Sequence, residues 1–253
     1  MHKLFFFTLL MSSLLSKNSI SQPPINLIPN NSFERCKELP HHHSQAHLLY
    51  NWYSGRTSGY PINYFNTLSF KPKKIIGKEQ FPYQGNAFIA LGTDLGNELH
   101  YSQFIETQLI QPLLKDSLYT ITLYVCLAIN FRYAIDHLEC RFFERKFLYS
   151  SKMNVDKSEL IILKADTGFI NDPKKWIKLT GTYKAKGDEN YFVLGNFSFS
   201  YKKSRLPFNP SLLYFVSSNA TFYLIDEVSV IKSTQPMLDK MQAEEEEEFL
   251  PKK

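Results

Sequence analysis

The stretch YTITLYVCLAI, residues 119–129, decides the fold. Ile121, Leu123, Val125, Leu127 and Ile129 recur at every second position, with Thr120, Thr122 and Tyr124 between them. Side chains of an extended strand alternate between its faces, so this period predicts a strand with one apolar face and one more polar face. Outward from it, AFIAL (87–91), SQFIETQLI (102–110), HLECRFFE (137–144), WIKLTGTYKA (176–185), YFVLGNFSF (191–199) and TFYLIDEVSVI (221–231) read the same way, separated by Gly, Pro, Asn and Asp. No amphipathic helical pattern lies between them to make the crossovers of a parallel sheet. The predicted fold is all-β, a two-sheet antiparallel β-sandwich of the jelly-roll kind. Between Arg35 and Lys78 the chain is rich in Pro, Gly, His and Tyr and reads as an irregular segment that wraps the domain or shapes a site.

With 43% hydrophobic residues and 15% aromatic ones, the chain can close a full core. The opening MHKLFFFTLLMSSLLSKNSISQ places Lys3 before an apolar run from Leu4 to Leu15, with Ser19 and Ser21 ahead of Gln22. This pattern predicts a signal peptide over 1–21 and an exported protein, in the periplasm, on the outer surface or extracellular. No later segment has the run of about 18 apolar residues that spans a bilayer, so contact with a membrane is expected to be peripheral at most. Residues 22–233 read as one domain, and 234–253, with its run Glu244 to Glu248, as an acidic tail that is a short helix or disordered. The net charge of +5 conceals a more basic body: Pro23 to Ser233 holds 24 Lys and Arg against 18 Asp and Glu. This surplus suits anionic polymers, but it is spread along the chain, so no nucleic-acid partner is expected.

The three cysteines, Cys36, Cys126 and Cys140, allow at most one internal disulfide. Cys126 and Cys140 fall on strands read as adjacent, and both read as small buried side chains. His41, His42, His43 and His47 could hold a transition metal, but no Cys or carboxylate accompanies them at a ligand spacing, so a solvated loop is the expectation. No G-x-S-x-G, H-E-x-x-H or phosphate-cradling glycine loop is present, and no nucleophile is identifiable. In TFYLIDEVSVI, strict alternation puts Phe222, Leu224, Asp226, Val228 and Val230 on one face. If the valines point inward, a carboxylate does too, and it needs backbone N–H donors, a Lys or Arg, or a hard cation such as calcium.

Five stretches, taken in order, carry a family resemblance: NLIPNNSFE (26–34), NWYSGRTSGYPINYFN (51–66), YQGNAFIAL (83–91), LYTITLYVCLAINFRYAIDHLECRF (118–142), and WIKLTGTYKAKGDENYFVLGNF (176–197) with YLIDEVSVI (223–231). The chain resembles carbohydrate-binding-module-like, galactose-binding-type jelly rolls found N-terminally in surface proteins of Gram-negative bacteria, many of which continue into an OmpA-like domain. The resemblance implies a first segment lying beside the last strand, and a structural calcium ion held by Glu34, Asp226 and the Ser32 carbonyl. Members pair a cysteine after the first strand with one after the Tyr-Phe-Asn segment; here Cys36 is present, but Thr67, Leu68 and Ser69 supply no partner.

Sugar-binding modules of this kind place an aromatic platform under the apolar face of a pyranose, with polar groups reading its hydroxyls. Trp52, Tyr53, Tyr64, Tyr101 and Tyr133 are the candidate ligand-binding residues because they flank loops or strand ends. The functional expectation is an exported, non-catalytic module that binds a carbohydrate or a cell-envelope polymer. A structural or adhesion protein of the envelope that binds another protein is the alternative, and a polysaccharide or ester hydrolase a third.

Overall fold

The computed structural model describes residues 24–54, 61–69, 80–94, 103–129, 131, 133–147, 159–166, 168–198, 201–205, 220–234 and 239. The signal-peptide segment 1–21, most of the acidic tail and Tyr101 lie outside the described residues. The described strands are β1 (Trp52–Ser54), β2 (Asn63–Asn66), β3 (Ala87–Asp94), β4 (Ile105–Gln108), β5 (Leu118–Leu127), β6 (Tyr133–Ile135), β7 (His137–Phe143), β8 (Ile161–Lys164), β9 (Ile177–Lys184), β10 (Tyr191–Leu194), β11 (Lys203–Arg205) and β12 (Thr221–Lys232).

Ten of them pair antiparallel in the order β1-β4-β10-β7-β8-β9-β5-β12-β3-β2, and β11 pairs with β6 in a separate ribbon. The ladder narrows to one register pair, Lys164 opposite Thr180, where β8 meets β9. There the sheet curls over, and five strands on one side of the seam face five on the other as two layers. Gly181 lies beside the seam: a Cβ on it would stand 2.7 Å from Leu163 Cδ2 and 3.0 Å from the Ile162 carbonyl oxygen, so only glycine admits this approach.

The interior follows from the alternation. Ile121, Leu123 and Val125 of β5, with Ile89 and Leu91 of β3, meet Ile105 of β4 and Leu138 and Cys140 of β7 in one buried cluster. Phe142 of β7 packs against Tyr183 of β9 across the layers, with ring centroids 5.0 Å apart. The first segment lies beside the last strand as expected, held by Leu27 N–H donating to the Val230 carbonyl (2.8 Å) and Val228 N–H to that of Asn31 (2.9 Å).

Three sequence readings are corrected. Asp226 does not share a face with Val228 and Val230, because a β-bulge lies between Asp226 and Ser229 and Glu227 takes a φ of 50°. The extra residue returns Val228 and Val230 to the interior beside Ile225, while Asp226 continues the outer set of Leu224. Cys126 and Cys140 are buried and unpaired, but not neighbours: Cys140 is in the interior between the layers and Cys126 in a cluster on the outer face of β5. The segment after Arg35 is not wholly irregular, since it supplies β1 and β2, the outermost strands of the two layers. A strand of three or four residues is too short to show a period in sequence.

Candidate functional site: an aromatic shelf

β5 turns Tyr124 outward, away from the interior that takes Leu123 and Val125. Over it lies Tyr83 from the loop ahead of β3, with the two rings stacked at 3.7 Å between centroids and 13° between planes. Trp176, at the start of β9, meets Tyr83 edge-on at 6.2 Å and Phe88 at 6.4 Å. Phe81 is 66% exposed and Tyr83 42% exposed, so this cluster presents aromatic surface to solvent. The neighbouring Tyr124 phenol is the largest influence holding the Tyr83 phenol above its ordinary pKa; burial and Glu227 add to the rise and Lys178 opposes it.

The loop that carries Tyr83 is fixed from several sides. Gln80 donates from Nε2 to the carbonyls of Leu127 (2.6 Å) and Pro173 (2.9 Å) and accepts the Ile129 N–H (3.0 Å). Trp176 Nε1 donates to the Phe81 carbonyl at 3.0 Å. Gln84 N–H donates to Asp226 Oδ2 at 3.1 Å, and the N–H groups of Asn86 and Ala87 donate to Glu34 Oε1 at 2.7 and 2.8 Å. Gly85 allows this last contact, since its φ is 67° and a Cβ would collide with Glu34 Oε1. A platform ordered this fully has lost most of its conformational entropy before any ligand arrives.

From the shelf, the outer face of β9, β5 and β12 runs on as a band of hydroxyls. Lys178 stands opposite Tyr124, Thr180 opposite Thr122, and Thr182 opposite Thr120, while Ser229 flanks Thr122 on the other side. Lys178 and Thr182 are exposed, and Thr122, Thr180 and Ser229 half-buried. At about 3.4 Å per residue, the band extends roughly 14 Å from Tyr124 to Thr120. Flat apolar rings beside hydroxyl donors and acceptors can bind a sugar by stacking on its C–H face and reading its edge.

The predicted ligand residues fall elsewhere. Trp52 is 2% exposed and Tyr64 fully buried, so neither ring offers a face to a ligand. Trp52 packs on Phe33 at 5.1 Å and donates from Nε1 to the Asn30 carbonyl, and Tyr64 donates its hydroxyl to the Phe33 carbonyl. Both ring systems close the core over the first segment, a role that their loop-flanking positions hid. Tyr53 is 47% exposed, with the Lys146 ammonium 4.3 Å from its ring centroid. Tyr133 is on the β6–β11 ribbon under Lys203, at 4.8 Å. Tyr101 lies outside the described residues.

Sequence reasoning missed Tyr83 and Trp176. Tyr124 was legible, because the period of β5 already sets it opposite Leu123 and Val125, whereas nothing local shows that a loop far earlier in the chain would lay Tyr83 on it.

Glu34 and Asp226 do approach one another through the loop they share. Burial pushes the Asp226 carboxyl up to about 7 against the pull of N–H groups from Gln84 and Glu227, and neighbouring Glu227 adds to the rise. Glu227 is itself held by Asn31 Nδ2 at 2.9 Å. The oxygens of Glu34 and Asp226 face amide hydrogens, whereas a calcium ion wants about six to eight oxygens turned toward it. Among the described residues no group of three or more His, Cys, Asp or Glu is placed to hold a metal ion. Both carboxylates serve as acceptors for the loop.

No protein-family model and no curated protein matches the sequence. Among solved structures, a family 16 carbohydrate-binding module is 15% identical, with 82% of this chain and 100% of that chain covered at a TM-score of 0.40. A putative sugar-binding protein from Bacteroides thetaiotaomicron is 12% identical, with 83% and 100% covered at 0.41. The K1 cleaved adhesin domain of Lys-gingipain from Porphyromonas gingivalis is 15% identical, with 80% and 96% covered at 0.38. These are loose likenesses, and the chemistry of the shelf rests on its own residues.

Proposed function

We propose that this protein is an exported binding module whose ligand is a carbohydrate, seated on the shelf of Tyr83, Tyr124 and Trp176 and read by the hydroxyl band beside it. The observation that carries this reading is the exposed Tyr83 ring, stacked on half-buried Tyr124 of β5 and carried by a loop fixed by side chains of Glu34, Gln80, Trp176 and Asp226. An aromatic surface kept rigid and uncovered has a cost in exposed apolar area that stability alone does not explain. Export rests on the opening residues 1–21.

A glycan array followed by calorimetry tests the proposal. A hit should weaken by at least about tenfold in Trp176→Ala and in Tyr83→Ala, because stacking of a flat ligand on an aromatic ring is worth about 1–3 kcal/mol. Array binding that survives both substitutions unchanged would place the ligand elsewhere. Calcium bound through Glu34, Asp226 and the Ser32 carbonyl would have to share these carboxylates with the amides they now accept. Chelation is therefore expected to leave the melting temperature unchanged, and a fall of several degrees would restore the calcium reading.

A further inference from the structure

We propose a second, independent binding site for an acidic saccharide unit, carrying a carboxylate or a sulfate, in the cationic pocket at the end of β7 and β9. The pocket has a volume of about 510 Å³ and is walled by Arg141 to Phe147, Glu159, Tyr183 and the turn Lys186–Gly187 leading to Glu189. An adjoining cavity of about 520 Å³ is lined by Gln111 to Lys115 and by exposed Asp188, and shares Lys186 and Gly187 with the first. Gly187 lets the two shared walls approach closely: its φ is 102°, and a Cβ there would stand 3.0 Å from Lys115 Cβ.

The charges in the pocket are unequally committed. Glu159 pairs with both Arg141 and Lys186, the latter at 2.5 Å. Buried Glu189 accepts the Tyr183 hydroxyl at 2.6 Å and the N–H groups of Lys186 and Gly187 at 2.7 and 2.8 Å. Two of the three acids lining the pocket are thus engaged in holding its walls, and Glu144 is the third, exposed at the rim. Arg145 and Lys146 are exposed and form no ion pair within 4 Å among the described residues, and the same is true of Lys115 in the adjoining cavity. Lys146 instead lies over the exposed Tyr53 ring, and nearby Glu106 is buried and accepts the Phe147 N–H.

Arg145, Lys146 and Lys115, three cations outside any ion pair among the described residues, outnumber the two exposed acids Glu144 and Asp188 around a recess floored by Phe142, Phe143 and Tyr183. Guanidinium with ammonium groups suits the oxygens of a carboxylate or sulfate. The size decides between a bare ion and a larger group: recesses of about 300–1,000 Å³ are those of small-molecule ligands. The second cavity, with Lys115 on the other side of Gly187, offers room for a following unit of the same polymer. This site needs nothing from the shelf, because Tyr83, Tyr124 and Trp176 do not line it.

Titration calorimetry of the purified protein with digalacturonate and with a heparin disaccharide tests the proposal, with cellobiose as the neutral control and inorganic sulfate as the ion control. At least one acidic disaccharide should bind, lose affinity as salt is raised, and bind roughly tenfold more weakly to the double variant Arg145→Gln, Lys146→Gln. Both side chains are exposed, so the variant should keep its fold, checked by an unchanged melting temperature. Trp176→Ala should bind the acidic disaccharide as the parent does, which separates this site from the shelf. No binding of either acidic disaccharide, equal binding of cellobiose, sulfate binding as tight as the disaccharide, or full affinity in the double variant would each overturn it.

Discussion

The outer faces of the two layers are treated in opposite ways. On the β1-β4-β10-β7-β8 layer, Phe104, Val193 and Phe197 are buried with Phe143, Phe147 and Leu160 packed on them, so the chain covers its own sheet. Carboxylates are sealed under this cover: Glu139 is fully buried and accepts N–H groups of Phe197 (2.6 Å) and Ser198 (2.8 Å) and the Ser198 hydroxyl. On the other layer, Phe65, Phe88, Cys126 and Leu224 are covered at the β2 and β3 side, but the β9, β5 and β12 side carries hydroxyls and the uncovered shelf. A covered, apolar outer face therefore prevails over much of this protein, and the β9-β5-β12 band is left open.

The largest effect should separate the two tryptophans. Trp52→Ala empties an interior site and should cost about 3–5 kcal/mol, with the melting temperature falling accordingly. Trp176→Ala, at a half-buried position, should cost only about 1 kcal/mol while removing glycan binding. Equal thermal losses from the two would erase the distinction between core and shelf aromatics.

The buried acids should respond to pH with opposite signs. Burial alone would raise the Glu139 carboxyl, but the His137 ring 3.6 Å away and hydrogen bonds from Ser198 and Phe197 together hold it below its ordinary value of 4.5. Its folded pKa is depressed, so its stabilisation is full above about pH 4.5 and is lost as the pH falls through the folded value. Glu139→Gln turns an N–H₂ toward donors, should cost about 2–3 kcal/mol near neutral pH, and should flatten the acid limb of the melting curve. Asp226 is raised from 3.8 to about 7, so the folded state holds its proton more tightly. Its contribution is full below about pH 3.8 and fades as the pH rises toward 7, a loss of about 2–3 kcal/mol between pH 5 and 8. Asp226→Asn should remove that slope; a variant whose melting temperature still falls as steeply over this range would show that another group titrates there.

How far the sequence reaches can be judged at single residues. The period of β5 sets which of its side chains face inward, and β12 is legible up to Leu224 by the same rule. The rule fails at Asp226 because a bulge adds one residue without leaving a mark in an alternating string, and every later side chain then changes face. The burial of Trp52 and Tyr64 escapes it because being beside a loop says nothing about whether another segment covers the ring, and here the first segment does. Tyr83 and Trp176 were invisible for the converse reason: a shelf is made by residues from three separate stretches, and only the fold brings them together.

The finest distinction concerns what Tyr83 contributes. Its ring stacks on Tyr124, so shape and polarity can be separated by Tyr83→Phe. The loop stays tied through Gln80, Asp226 and Glu34, none of which touches the phenol oxygen, and the exposed position should keep the stability change within about 0.5 kcal/mol. If the shelf acts as an apolar platform, the bare phenyl ring of that variant stacks as the phenol does and glycan affinity falls by less than roughly threefold, against at least about tenfold for Tyr83→Ala. Equal losses for the two variants would mean that the ligand is read by the phenol oxygens, and the hydroxyl band from Tyr124 to Thr120 would then begin at Tyr83 itself.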